Sequence, residues 1–159
     1  MRIFAQGRLV GLYLIGILAF CGVFSGTSVA VANSLYVSPT NYAESKTVTS
    51  CGTSNTCSIA FHKVGASKTL LLTHVSCRIV AKSTVAPLIK AVLADNSGQV
   101  RENLTPVLLS TDGQDIQYFQ SNNEASTILT AAMVPQIAVT FDGSIPIEEL
   151  TCSLGGQFL

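Results

Sequence analysis

Cysteine, histidine and acidic side chains are the residues with which this chain could do chemistry. The cysteines are Cys21, Cys51, Cys57, Cys77 and Cys152, and the histidines are His62 and His74. A zinc site built on cysteines wants ligand pairs with roughly two to four residues between them. Five residues separate Cys51 from Cys57, and neither histidine falls at a matching interval. Thiol redox chemistry wants Cys-x-x-Cys or a thiolate in basic surroundings, and neither pattern is present. What remains for the cysteines is cross-linking.

The acids sit where turns are. Asp95, Asp112, Asp115 and Asp142 lie within or beside Gly- or Asn-bearing turns, where such side chains bond the local backbone. Asp112 and Asp115, with Asn122, Asn123 and Glu124 nearby, are weak calcium candidates, because calcium takes many oxygens. No EF-hand pattern supports them, so the expectation is turn chemistry, no metal and no cofactor. Glu148 and Glu149 are neighbours that point to opposite faces of a strand, a poor arrangement for a glycosidase pair. His74, with Ser76 two residues on, suggests a nucleophile pair, but no Gly-x-Ser-x-Gly elbow accompanies it. A strand histidine facing solvent is the simpler reading.

For ligand binding, the weak candidates are Tyr118, Phe119 and His74. Tyr118 and Phe119 point to opposite faces, so one of them is exposed. With Tyr36 and Tyr42 they form at most a modest aromatic platform for a sugar or protein, since the chain has no Trp. Asn103-Leu104-Thr105 fits the N-glycosylation pattern, with Pro106 following.

The leader gives the cysteines their context. Arg2 and Arg8 precede an apolar run from Leu9 to Phe24, and Ala30-Val31-Ala32 supplies a small-x-small cleavage site. Residues 1–32 read as a cleaved signal peptide, directing a secreted or periplasmic protein. The run is short for a membrane anchor, and bulky Phe20 before Cys21 argues against lipidation. Cleavage before Asn33 removes Cys21 and leaves four cysteines, best read as two disulfides. Of three pairings, Cys51–Cys57 with Cys77–Cys152 is favoured. Turn-forming residues join the first two, and the second two point inward on separate strands.

Losing Arg2 and Arg8 takes two from nine basic residues, against nine acidic ones, for a charge of −2 with His neutral. A chain with no Lys/Arg cluster has no grip on phosphates, which excludes nucleic acid as a partner. After the leader no segment is apolar for long enough to cross a membrane, so none is expected as a partner.

The elements that must position these residues are strands. Residues 33–46 read as an extended N-terminal segment, and 47–159 as one domain. From Thr47 onward Val, Ile and Thr alternate between Gly, Asn, Asp and Pro punctuation. The strongest signal is Thr69 to Ala81, whose odd positions face inward. Leu70 and Leu72 break that pattern, which calls for a bend or a bulge. Shorter strands read at Cys57–Phe61, Leu88–Ala94, Pro106–Ser110, Asp115–Gln120, Gln136–Phe141 and Glu149–Leu154. Ser126–Met133 fits a short helix or a strand. Seven or eight short strands without intervening helices predict an all-β antiparallel sandwich, jelly-roll or Ig-like in layout and stapled by disulfides. The function expected of it is non-enzymatic: a binding or surface-interaction module for a protein or glycan. The alternative is a small secreted hydrolase or enzyme inhibitor acting through a loop.

Overall fold

The structure is a computed structural model that describes residues 30–51, 55–82, 88–143 and 146–159. The expected leader, including Cys21 and nearly all of 1–32, lies outside the described residues. Ten strands run through them: β1 (Ala30–Val37), β2 (Asn41–Thr49), β3 (Thr56–Ala60), β4 (Leu70–Lys82) and β5 (Leu88–Ala94), then β6 (Val100–Leu104), β7 (Val107–Thr111), β8 (Ile116–Leu129), β9 (Gln136–Phe141) and β10 (Ile147–Phe158). They form two antiparallel sheets packed as a sandwich. The larger has the order β1-β2-β10-β4-β8-β7, and the smaller β3-β9-β5-β6. No helix among the described residues is long and apolar enough to cross a membrane.

Alternation explains the core. Cys57, Ile59, Ile137, Val139, Phe141, Leu150, Cys152 and Leu154 are buried, each on the inward parity of its strand. Their removal from water drives the two sheets together. β5 lies between β9 and β6, and its residues Ala91 to Ala94 are buried on both faces, as suits an inner strand.

The conflict at the start of β4 has a structural answer. Leu72 and His74 pair with the consecutive residues Gly156 and Gly155 of β10, so Thr73 is an extra residue in the strand, and the register against β8 shifts at the same point. One inserted residue exchanges the two faces. Leu70 and Leu72 therefore point inward before the bulge, and Val75, Cys77, Ile79 and Ala81 after it. Gly156 sits where β10 meets this bulge. A Cβ at Gly156 would lie 2.3 Å from the Leu71 carbonyl oxygen, so only glycine lets the backbones approach this closely. Gly155-Gly156 therefore continue the last strand rather than end it.

Three strands exceed the sequence reading. Asn33–Lys46, expected to be merely extended, contributes most of a β1–β2 hairpin paired from Ala30↔Thr49 to Val37↔Tyr42. Val100–Leu104 is an edge strand of the smaller sheet. The ambiguous Ser126–Met133 splits: its first four residues finish β8, and a turn follows with Ala132 at φ 69°.

Both disulfides join the favoured partners. Cys51 bonds Cys57 across six residues, and Cys77 bonds Cys152 across 75. Cys77 and Cys152 are direct cross-strand partners on β4 and β10, with Cα atoms 4.2 Å apart. Two such bonds suit an oxidising compartment outside the cytoplasm.

Candidate functional site

The outer face of the larger sheet carries a regular polar grid. Cross-strand pairing aligns Ser45, Ser153, Ser76 and Asn122 in one row across β2, β10, β4 and β8. The next row is Thr47, Thr151, Arg78 and Gln120. Each residue lies on the parity opposite to the core, which explains why Ser, Thr, Asn and Gln are so abundant in strands otherwise built of Val, Ile and Leu. The hydroxyls bond across strands: Ser153 Oγ donates to Ser45 Oγ at 2.9 Å, and the Thr47 and Thr151 hydroxyls lie 2.9 Å apart.

At the β7 side this face deepens into a groove of about 370 Å³, lined by Ser76, Arg78, Tyr118, Gln120, Asn122 and Leu109 among others. Tyr118 is held from two directions. Its hydroxyl donates to Asp112 Oδ2 at 3.4 Å, and the Arg78 guanidinium sits 6.0 Å from its ring centre. Arg78 in turn lies 3.6 Å from Glu149 Oε1, which accepts from Thr151 Oγ1 at 3.1 Å. A chain of contacts from Asp112 to Thr151 thus links the Tyr118 ring and the Arg78 guanidinium beside the groove.

The three expected ligand contacts separate. Tyr118 lines the groove. Phe119 points the other way, into the core, edge-on to Phe141 with ring centres 5.7 Å apart. It is a packing residue. His74 shares the outer face but lies beyond Ser76, beside the bulge, with Glu124 and Gly155 as cross-strand neighbours. Tyr42, expected to join the platform, is buried instead, while Tyr36 is exposed.

Asp112 serves its own turn. Its Oδ1 accepts from the Gln114 and Ile116 backbone N–H groups at 2.8 and 3.0 Å. The N–H bonds of Ile116 and then Gln114, joined by the Tyr118 hydroxyl, outweigh desolvation and hold its carboxyl below the usual range. Asp115 takes the left-handed conformation of that turn, at φ 63°. Among the described residues no group of three or more potential metal ligands gathers. Asp95 also closes a turn, accepting from Ser97 and Gln99 N–H at 2.8 and 3.2 Å and from Arg101 Nε at 2.9 Å. It is buried, and the Ser97 hydroxyl and Arg101 hold it ionised.

A second cluster escaped the sequence reading. Glu44 on β2 points inward and its side chain is fully buried. It accepts from the Tyr42 hydroxyl, and from the His62 backbone N–H at 2.9 Å. His62 Nδ1 lies 2.7 Å from Oε1, and Lys46 Nζ lies 3.3 Å from it. Burial pushes the Glu44 carboxyl up, but these four contacts more than reverse it and hold it below its ordinary value of 4.5. The same burial and carboxylate push the Tyr42 hydroxyl up, so it remains a donor. The cluster pins the segment after β3 to the larger sheet, since Lys46 Nζ also donates to the Ala60 carbonyl at 2.6 Å. Its one local signal is Tyr42-x-Glu44-x-Lys46, three polar-tipped residues on a single strand face.

No family model, curated protein or solved structure matches this chain.

Proposed function

We propose that this chain is an exported, non-catalytic binding module whose ligand is a glycan, held on the outer face of the six-stranded sheet. One observation carries the reading: Tyr118 and Arg78 lie together beside a cross-strand grid of hydroxyls and amides. Sugars present hydroxyls in a plane and C–H groups on the ring face. Short Ser, Thr, Asn and Gln side chains match the first, and the Tyr118 ring matches the second. The low charge and the absence of a basic cluster favour hydroxyl-rich ligands over phosphates. A secreted or periplasmic location supplies such ligands, and the two disulfides fit that location.

Calorimetric titration of the oxidised protein with a panel of neutral and acidic polysaccharide fragments tests the reading. Binding is expected for at least one fragment. Tyr118→Ala should weaken it by about five- to tenfold, the equivalent of roughly 1 kcal/mol for a lost ring contact. His74→Ala, outside the groove, should leave it unchanged. Failure of every fragment to bind, or unchanged affinity in Tyr118→Ala, overturns the proposal.

A further inference from the structure

The two edge strands of the larger sheet share an unusual character. β7 exposes Val107, Leu108 and Leu109, with Val107 61% and Leu109 60% accessible. β1, at the opposite edge, exposes Leu35, Tyr36 and Val37, with Tyr36 at 62%. Neither strand contains a charged residue or a proline. Proteins usually guard sheet edges with charges, prolines or bulges, because an open edge is a template for another strand. Here the one such device within the two strands is the bulge at Leu109.

The sheet's construction decides what fits. Six strands, each antiparallel to its neighbours, leave the two edge strands running in opposite directions. A second copy displaced by simple translation therefore presents its β1 antiparallel to the first copy's β7, and the alternation continues unbroken. The side chains match as well. Leu108 pairs with inward-facing Phe119, and Leu35 and Val37 pair with inward-facing Glu44 and Tyr42. All three apolar side chains thus lie on the inner face of the sheet and would meet there. Val107 and Tyr36, paired with Gln120 and Ala43, would meet on the outer face. The smaller sheet packs its edges against β2, β10 and β8, so the inner faces of β1 and β7 are the overhanging margins of the larger one. A charge of only −2 after the leader, with His neutral, sets little repulsion between copies.

We propose that the occupant of each edge is a second copy of this chain, with β7 of one protomer adding to β1 of the next. The contact is heterologous, so it builds an open, head-to-tail array rather than a closed dimer. It leaves the polar grid on the outer face accessible along the array, and it stands whether or not that grid binds a glycan.

Sedimentation of the oxidised protein over a wide concentration range, together with two edge variants, tests this. Wild type is expected to form a concentration-dependent ladder of species. Val107→Lys blocks one edge and Tyr36→Lys the other, and both replace exposed side chains. Each variant alone is expected to be monomeric, and an equimolar mixture to form a heterodimer through its one intact β7–β1 contact. That rescue also shows that both variants are folded. A wild type that stays monomeric at every concentration overturns the proposal. So does a Tyr36→Lys variant that dimerises alone, since that would mean β7 pairs with β7, or a mixture that forms nothing.

Discussion

The two disulfides should differ in what they contribute to stability, and the difference follows from the lengths of chain they close. In the chain-entropy model a cross-link stabilises by restricting the unfolded ensemble, and the effect grows with the logarithm of loop length. The 75-residue separation of Cys77 and Cys152 gives about 4.5 kcal/mol, and the six-residue separation of Cys51 and Cys57 gives about 2.2 kcal/mol. At an unfolding entropy of about 2.1 cal/mol/K per residue, these translate for a domain of this size into losses of about 17 °C and about 8 °C in Tm. The assay is calorimetric melting of paired variants, Cys77→Ala/Cys152→Ala and Cys51→Ala/Cys57→Ala. Cys77 and Cys152 are both buried, so alanine there also leaves a small void. A Cys77→Val/Cys152→Val variant fills that void without restoring the bond. It should remain close to the alanine pair. If the valine pair recovers wild-type stability, or the short-loop variant loses more than the long-loop one, loop closure is the wrong account.

Two further outcomes are expected. Gly156→Ala should cost about 2–3 kcal/mol, measured by urea unfolding, because its Cβ meets backbone rather than a side chain that can move; an unchanged midpoint would mean that β10 can draw away from the bulge freely. The lowered carboxyls of Glu44, Asp95 and Asp112 bind protons more weakly in the folded chain than in the unfolded one. Their contribution is fully present above the ordinary values of 4.5 and 3.8 and is lost as pH falls through the lower folded values. Tyr42→Phe removes a donor from buried Glu44. It should lower stability at neutral pH by about 1.5–3 kcal/mol and move the acid-side loss to higher pH, read from denaturant midpoints across a pH series. A pH profile identical to wild type would show that the tyrosine does not hold the carboxylate.

The parts of the fold legible in the sequence are those where one face is apolar and the other polar. Gln136–Phe141 and Glu149–Leu154 were readable because Ile137, Val139, Phe141, Leu150, Cys152 and Leu154 alternate with residues bound for the other face. β2 was hidden because its inward side chains include Tyr42, Glu44 and Lys46, whose polar tips meet one another and His62, a residue 18 positions beyond Glu44, so their inward placement depends on contacts that no local pattern reports. β1 and β6 lie at sheet edges, where partial burial weakens the pattern that marks a strand. In β4 the doubled leucines were visible as a conflict, and the bulge that resolves it exchanges the faces at a single residue. Of Tyr118 and Arg78, alternation marks Arg78 as outward-facing and leaves open whether Tyr118 or its neighbour Phe119 is exposed. Their meeting across β8 and β4 depends on pairing register, which no local pattern reports.

The Cys77–Cys152 bond also sets how the molecule answers a mechanical load. Force applied to the two ends of the chain enters through β1 and the tail of β10, then crosses directly from Cys77 to Cys152. Strands β5 to β9 lie wholly within the bridged span and outside that path. Pulled taut, the 75 residues they belong to would add roughly 250–270 Å of contour length, and none of it is released while the sulfurs remain joined. Stretching can unravel the outer strands, yet the bridged span stays sequestered behind one covalent bond, and a reductant rather than tension is what would let it out.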